Sequence, residues 1–297
     1  MPTRRTLLAV LATTPLATSR ATRAAPPLKI VASFSIIADL VRQIGGPRVQ
    51  VTTLVGADQD MHAFQPRPSD AQAIAAADLF VINGLDFETW AERLAAAAGY
   101  KKPGIVATRG IRPLPAGSAH GQGSLDPHAW QDATNVKLYA ANIRDGLITA
   151  DPAGADDYRR NATALLARLD ALDADIKAAF RPIPRASRKI VTSHDAFRYY
   201  GDAYDVDFRA PLGLSGDAEP SAQEFAALIG QIRREGIRAL FLENTARSPL
   251  LQQIARETGV RIGGTLYSDA LSAADGPAAS YEAMMRHNTR MIVAALA

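Results

Sequence analysis

Short apolar runs alternate with longer amphipathic stretches along most of this 297-residue chain. The apolar runs are typical of buried strands, and the amphipathic stretches between and after them are typical of helices. The predicted strands are residues 28–32, 49–55, 78–82, 104–107, 189–192, 206–208, 239–242 and 260–266, and the predicted helices are residues 36–44, 90–98, 151–180, 221–235, 249–258 and 281–296. Such alternation predicts parallel sheets covered by helices.

The stretch 151–180 is the clearest predicted helix. Asp151 can cap it, and Pro152 suits its first position. Some thirty residues would extend over roughly 40–45 Å, more than one small lobe needs. A single apolar stripe at spacings of four, three, four and four is formed by Leu165, Leu169, Leu172, Ile176 and Phe180. We therefore expect an α/β protein of two lobes, each with a four-stranded parallel sheet covered by helices, joined by a long rigid helix.

The domain boundaries follow from this pattern. We expect an N-terminal α/β lobe at 26–150, a linking helix at 151–181 and a C-terminal α/β lobe at 182–297. Residues 1–25 have the layout of a bacterial export signal, with Arg4 and Arg5 before an apolar run and small residues after it. The paired arginines resemble a twin-arginine signal. We expect the signal to be cleaved and the mature protein to reside in the periplasm.

Composition and charge exclude some classes of function. The pI of about 9.2 for the whole sequence depends on the predicted signal. Without residues 1–25 the chain has 29 basic and 30 acidic residues, a net charge of −1, so no basic excess suggests nucleic-acid binding. The sequence contains no cysteine. This excludes disulfides and thiolate ligands and argues against a lipid-anchored cysteine, so any zinc site must use His, Asp or Glu.

Three histidines and one aspartate form a candidate metal site: His62, His128, His194 and Asp269. They are separated by 66, 66 and 75 residues, so only a folded chain could gather them. His62, His194 and Asp269 follow predicted strands, and His128 lies beyond the loop after the fourth strand. Because ligands bind outside the carboxyl ends of parallel strands, we expect one shared cleft with two ligands from each lobe.

The residues around this set resemble the metal-binding proteins of bacterial ABC importers for zinc and manganese. The family motifs are Asp-x-His-x-(Tyr/Phe)-x-Pro-x-Pro-x-Asp, Asp-Pro-His-x-Trp, Thr-Ser-His-Asp-Ala-Phe-x-Tyr and Gly-x-Leu-Tyr-x-Asp. They match residues 60–70 with His62, 126–130 with His128, 192–199 with His194 and 264–269 with Asp269; segments 83–90 and 242–244 also look like family segments. The resemblance covers nearly all of the mature chain, in order.

Three details depart from the family pattern. Met61 and Gln65 stand where proline and glutamate are common. Many zinc members carry a long histidine-rich loop before the second ligand, whereas here the loop at 112–126 is short and holds only His120. We expect His120 to be a solvated loop residue, with transient metal handling as the alternative, and His287 to be a surface residue.

The resemblance implies a periplasmic zinc-binding protein that captures Zn²⁺ between its lobes and delivers it to a membrane ABC permease. Four protein ligands fill a tetrahedral shell and leave no position for activated water, which favours capture over catalysis. We expect Zn²⁺ as the bound ion, because three imidazole nitrogens suit a cation of intermediate softness, and Mn²⁺ is the alternative. A periplasmic metallochaperone is a further candidate partner, and we expect a monomer.

Two other functions stay open at this point. A secreted zinc hydrolase would need an open coordination position and a nearby base, and the chain has no His-Glu-x-x-His segment. A protein that binds a metal chelate would not need three inward histidines. Asp269 has an alternative role as a helix cap.

Around the site, Glu243 and Asp195 are candidate partners of the metal-bound imidazoles, with ordinary strand-end and turn acids as the alternatives. The rings that would line the cleft or pack in the core are Trp90, Trp130, Phe64 and Phe197.

Overall fold

The computed structural model describes residues 26–116, 124–209, 222–245 and 249–297. The predicted export signal at 1–25 and His120 lie outside the described residues. The strands are β1 Leu28–Phe34, β2 Val49–Val55, β3 Leu79–Ile82, β4 Gly104–Val106, β5 Lys189–Val191, β6 Asp207–Arg209, β7 Ala239–Glu243 and β8 Arg261–Leu266. The helices are α1 Ser35–Gly45, α2 Pro68–Ala76, α3 Ala91–Ala97, α4 Ala133–Ala150, α5 Ala155–Phe180, α6 Arg198–Tyr204, α7 Ala222–Glu235, α8 Pro249–Thr258 and α9 Tyr281–Leu296.

The strands form two four-stranded parallel sheets with the same strand order. The first sheet runs β2-β1-β3-β4 and the second β6-β5-β7-β8. In the first, Leu28 pairs with Val49 at one end and Phe34 with Val55 at the other. In each sheet the chain changes side after the first two strands, so the carboxyl ends of its central strands border a crevice. The predicted fold class is confirmed.

The long helix α5 joins the two sheets, but its start was predicted wrongly. A short 3-10 turn at Pro152–Gly154 precedes the α-helix, which begins at Ala155. Asp151 therefore does not cap α5; its carboxylate accepts hydrogen bonds from Tyr158 (2.8 Å) and Arg48 (3.1 Å). The 26 residues of α5 extend over about 39 Å at 1.5 Å per residue. The predicted apolar stripe is buried along its whole length.

Three helices were not predicted from the sequence: α2, α4 and α6. The largest is α4, whose start is capped by Asp132 as its carboxylate accepts the Thr134 N–H. Its buried face is made by Ala133, Val136, Tyr139, Ala140, Ile143 and Leu147. These positions follow a helical period, but small and polar residues interrupt the apolar signal. Tertiary packing against β4 and α5 completes this helix.

The buried apolar residues divide into a large core and a small one. The large core includes residues of the first sheet, α1, α4, α5 and α9, and also Leu271 and Ala278 after β8. The small core packs β5 and β7 against α7 and α8, with Leu240 and Leu251 completely buried. The segment after β8 is thus packed into a core that it shares with the first sheet. In the part of the chain that the structure describes, no helix is both long and apolar enough to cross a bilayer.

Candidate metal centre

The structure brings the four predicted site residues together. His62 lies after β2 and His194 after β5, while Asp269 follows β8 and His128 lies beyond β4. Each offers one ligand atom, and these four atoms all lie within 4.8 Å of one another. The two sheets therefore direct their carboxyl ends at a single point, as the strand pattern predicts.

The Asp269 carboxylate is the centre of this cluster. Its oxygens lie 3.1 Å from His194 Nε2, 3.4 Å from His62 Nε2 and 3.5 Å from His128 Nε2. Two ligands bound at about 2.1 Å in a tetrahedral shell are roughly 3.4 Å apart. The observed separations match that edge length. Both carboxylate oxygens face the imidazoles, so Asp269 can bind a cation through one oxygen or both.

Two buried polar atoms in the cluster point to a bound cation. His128 Nε2 and Asp269 Oδ1 have no hydrogen-bond partner among the described residues. The side chains of His128 and Asp269 are 0% and 1% exposed, respectively. Buried polar groups are almost always satisfied, so a facing pair without partners suits a site that a ligand completes.

The charges of the cluster perturb one another. Burial opposes ionisation of Asp269, but His194 and His128 overcome it and hold the pKa of that carboxyl well below its usual range. Burial also disfavours the imidazolium of His194, yet Glu243 and Asp269 raise its pKa well above the usual value. The pKa of His62 is likewise raised, because Asp269 outweighs burial. A dense carboxylate field therefore attracts positive charge to the cluster.

Asp126 orients His128 and was not identified from the sequence. Its Oδ1 lies 2.7 Å from His128 Nδ1 and accepts the His128 backbone N–H at 2.9 Å. An N–H at Nδ1 leaves the lone pair of Nε2 directed at Asp269, which is the form that a metal binds. The signal was present in the sequence, since Asp126 begins the Asp-Pro-His motif.

Glu243 holds the backbone of His194 and lies against its ring. Its Oε2 lies 2.7 Å from His194 Nδ1, and its Oε1 accepts the His194 backbone N–H at 2.9 Å. Of Glu243 and Asp195, the two acids predicted as partners of the imidazoles, Glu243 is the one that the structure places against the His194 ring. The Asp195 carboxylate lies 3.9 Å from Arg198. The backbone N–H of His62 is held by Asp60 at 2.8 Å.

Aromatic rings enclose most of the cluster. Phe87, which sequence reasoning missed, meets His62 and His128 edge to face at 5.6 and 5.8 Å. Trp130 and Phe197 are buried in the core, and Trp90 packs on Phe64 at 4.8 Å.

His62 is the most accessible ligand. Its side chain is 43% exposed, and a cavity of about 630 Å³ opens beside it. An ion would therefore enter past His62.

The remaining candidates lie outside the cluster. His287 lies in α9, where its Nε2 contacts the Thr265 carbonyl at 3.1 Å. No helix begins after Asp269 until α9, so Asp269 does not act as a helix cap.

Comparison with known proteins agrees with this architecture. The family model described as "ZnuA: Zinc-uptake complex component A periplasmic" matches residues 30–295. The manganese-binding lipoprotein MntA of Halalkalibacterium halodurans is 36% identical over 269 residues, 91% of this chain and 88% of MntA. The iron-binding protein YfeA of Yersinia pestis is 33% identical over 272 residues, 92% of this chain and 87% of YfeA.

Solved structures show the same fold. The periplasmic zinc-binding protein TroA of Treponema pallidum superimposes with a TM-score of 0.84 at 27% identity, covering 91% of this chain and 99% of TroA. The match to the family model extends over nearly all of the described chain and includes all four clustered residues. This chain therefore belongs to the ZnuA family, whose members are the metal-binding components of ABC importers and not enzymes.

Proposed function

We propose that this protein captures Zn²⁺ with His62, His128, His194 and Asp269 and delivers it to the membrane permease of an ABC importer. The observation that carries the proposal is the convergence of four ligand atoms within 4.8 Å at the carboxyl ends of two sheets. All four ligands come from the protein, so the site would hold an ion without activating a water molecule.

The ligand chemistry favours zinc. Three imidazole nitrogens and one carboxylate suit a borderline cation, and zinc exceeds manganese in intrinsic affinity for such sites. The Asp269–imidazole separations of 3.1–3.5 Å also agree with a tetrahedral zinc shell. Asp126 and Glu243 support the histidines in the orientation that zinc sites require.

Manganese is the second candidate ion. MntA, at 36% identity, is named a manganese-binding protein. A site that admits both oxygens of Asp269 could also serve a cation with a higher coordination number. The two candidates differ in the affinity for Mn²⁺, because a manganese protein would bind Mn²⁺ tightly and stoichiometrically even though its site also binds Zn²⁺.

The experiment is metal analysis and calorimetric titration of the mature protein against Zn²⁺ and Mn²⁺. We expect one Zn²⁺ per chain, bound more tightly than Mn²⁺. His62→Ala, His128→Ala and His194→Ala should each reduce the zinc affinity by more than about 100-fold, because a lost ligand has a larger effect than a lost outer partner. His287→Ala is the matched control and should bind as the unmodified protein does. Three unchanged affinities would contradict direct coordination.

The site of action follows from the same proposal. We place the mature protein in the periplasm, where the permease would separate the ligands and release the ion. TroA is named a periplasmic protein and MntA a lipoprotein, and both names suit an exported chain. The lipoprotein relatives give no support to a twin-arginine signal. Export that survives replacement of Arg4 and Arg5 by lysine would exclude that route.

A further inference from the structure

Asp58 joins three segments of the chain beside the metal site. It lies in the turn after β2, four residues before His62. Its carboxylate accepts hydrogen bonds from Asn244 Nδ2 at 2.9 Å and from the Ala273 backbone N–H at 3.2 Å. Its own backbone N–H donates to the Leu271 carbonyl at 2.9 Å. One residue of the first lobe thus makes three hydrogen bonds to the segments that follow β7 and β8.

Each of these segments carries part of the site. Asn244 follows Glu243, the acid that holds His194. Leu271 and Ala273 lie two and four residues after Asp269, and Asn244 Nδ2 also reaches the Ala270 carbonyl at 3.3 Å. Asp58 therefore connects the loop of His62 to the two segments that position the ligands of the second sheet.

The backbone at Asp58 is adapted to this contact. Its φ is 54°, in the left-handed region, which aspartate tolerates better than most residues. This conformation lets the N–H and the carboxylate of one residue meet the same partner segment. The turn is held on its other side by Gln59, whose side chain accepts the Gly56 N–H at 2.8 Å.

We infer that Asp58 is a positioning residue that latches the His62 loop to the second lobe and slows the release of bound metal. The inference rests on the proposed function. A carboxylate with two N–H donors across the lobes stabilises the arrangement in which the four ligands meet. Separating the ligands requires these bonds to break, so the latch acts on dissociation more than on association.

Asp58→Gly and Asn244→Ala test the latch. Glycine keeps the left-handed backbone and removes both carboxylate oxygens. Zinc release is followed by stopped flow after mixing the Zn²⁺-loaded protein with excess chelator. We expect each variant to release zinc about five- to tenfold faster, with association changed less than about twofold. The effects of the two substitutions should be less than additive in the double variant, because both remove the hydrogen bond between Asp58 and Asn244.

Asp275→Gly is the matched control, since Asp275 is an exposed carboxylate on the same segment as Ala273. It should release zinc at the unmodified rate. Unchanged release from Asp58→Gly would overturn the latch, as would a lower Tm of its metal-free form without faster release, which would indicate a merely structural role. Absence of zinc binding by the unmodified protein would instead overturn the proposed function.

Discussion

At the scale of single residues, the site is organised by carboxylates that are not ligands. Asp126 and Glu243 each hold one imidazole through Nδ1 and through the backbone N–H of the same histidine. Two contacts per acid fix both the ring and its loop, which leaves Nε2 of His128 and His194 facing Asp269. The outer carboxylates therefore determine how well the inner nitrogens converge.

Asp126→Asn should weaken zinc binding by about 10- to 100-fold, because loss of the charged acceptor reduces the basicity and the orientation of His128. A competition titration against a chromophoric chelator measures the change. Asp145→Asn removes an exposed carboxylate that pairs with Arg144 and serves as the control. An affinity of Asp126→Asn within twofold of the control would show that this acid does not support the ligand.

Acid should weaken metal binding from a higher pH than ordinary histidines would allow. The pKa values of His62 and His194 are raised above 6.5, so in the metal-free protein they retain protons that a metal must displace. Affinity should therefore be full above the raised pKa values and fall as the pH decreases through them. Calorimetry at about pH 8 and about pH 6, in buffers of different ionisation enthalpy, measures affinity and proton release. Equal affinities with no proton release would contradict this reasoning.

The four candidate ligands could be predicted from the sequence because each lies in a distinctive motif after a strand. Their partners could not all be identified in this way. Glu243 is an acid at a strand end, a common position, and only the fold brings it to His194. Phe87 gave no signal of its own, since an aromatic residue near a strand is more often a core residue.

At the scale of elements, the loop after β3 supports the segment that carries His128. The backbone N–H groups of Asn83 and Gly84 donate to the buried Glu88 at 2.7 and 3.1 Å. The Asn83 side chain donates to the Pro127 carbonyl at 2.9 Å, directly before His128. This loop therefore connects the end of β3 to the second ligand.

Gly84→Ala should destabilise the protein by roughly 2–4 kcal/mol, from a strained left-handed backbone and a steric clash. The φ of Gly84 is 91°, and an added Cβ would lie 2.5 Å from Val106 Cγ1. Gly99→Ala is the control, since Gly99 has a φ of 65° and open space around it; it should lose only about 1 kcal/mol. Urea unfolding measures the free energy of unfolding of both variants. Equal losses of stability would show that the contact with Val106 is harmless.

Strands and strongly amphipathic helices were predictable because their apolar period is uninterrupted. The bounds of α8 and α9 were predicted to the residue. The start of α5 was not, because Asp151 is used by Arg48 and Tyr158 instead of by the helix. The helix α4 was not predicted for a different reason. Its helical period includes alanines, which give a weak apolar signal in the sequence and make apolar contacts only when the chain is packed.

At the scale of the whole molecule, the lobes are tied together by more than the linking helix. The Ser268 carbonyl accepts hydrogen bonds from the Trp130 and Gln131 side chains at 2.9 and 3.0 Å. The Leu271 N–H donates to Ser35 in α1 at 2.9 Å. The residues on both sides of Asp269 are thus bound to the first lobe, although the domain boundaries predicted from the sequence place them in the second lobe. The domain boundaries at 150 and 181 stay predictions.

Metal capture should close the molecule only slightly, because these cross-links and α5 already restrict the lobes. Small-angle scattering should show the radius of gyration of the metal-free protein decreasing by less than about 1 Å on saturation with zinc. A decrease of several ångströms would indicate a wide hinge and would contradict a rigid linker. These cross-links could not be predicted, since they join residues more than a hundred positions apart.

The proposed function requires three imidazoles and one carboxylate to hold one zinc ion between two lobes. Calorimetric titration of the mature, metal-free protein with Zn²⁺ and with Mn²⁺, beside His194→Ala, is the decisive experiment. We expect one tightly bound zinc per chain, weaker manganese, and zinc affinity reduced by more than about 100-fold in His194→Ala. Stoichiometric manganese with weak zinc, or unchanged zinc binding by His194→Ala, would contradict it.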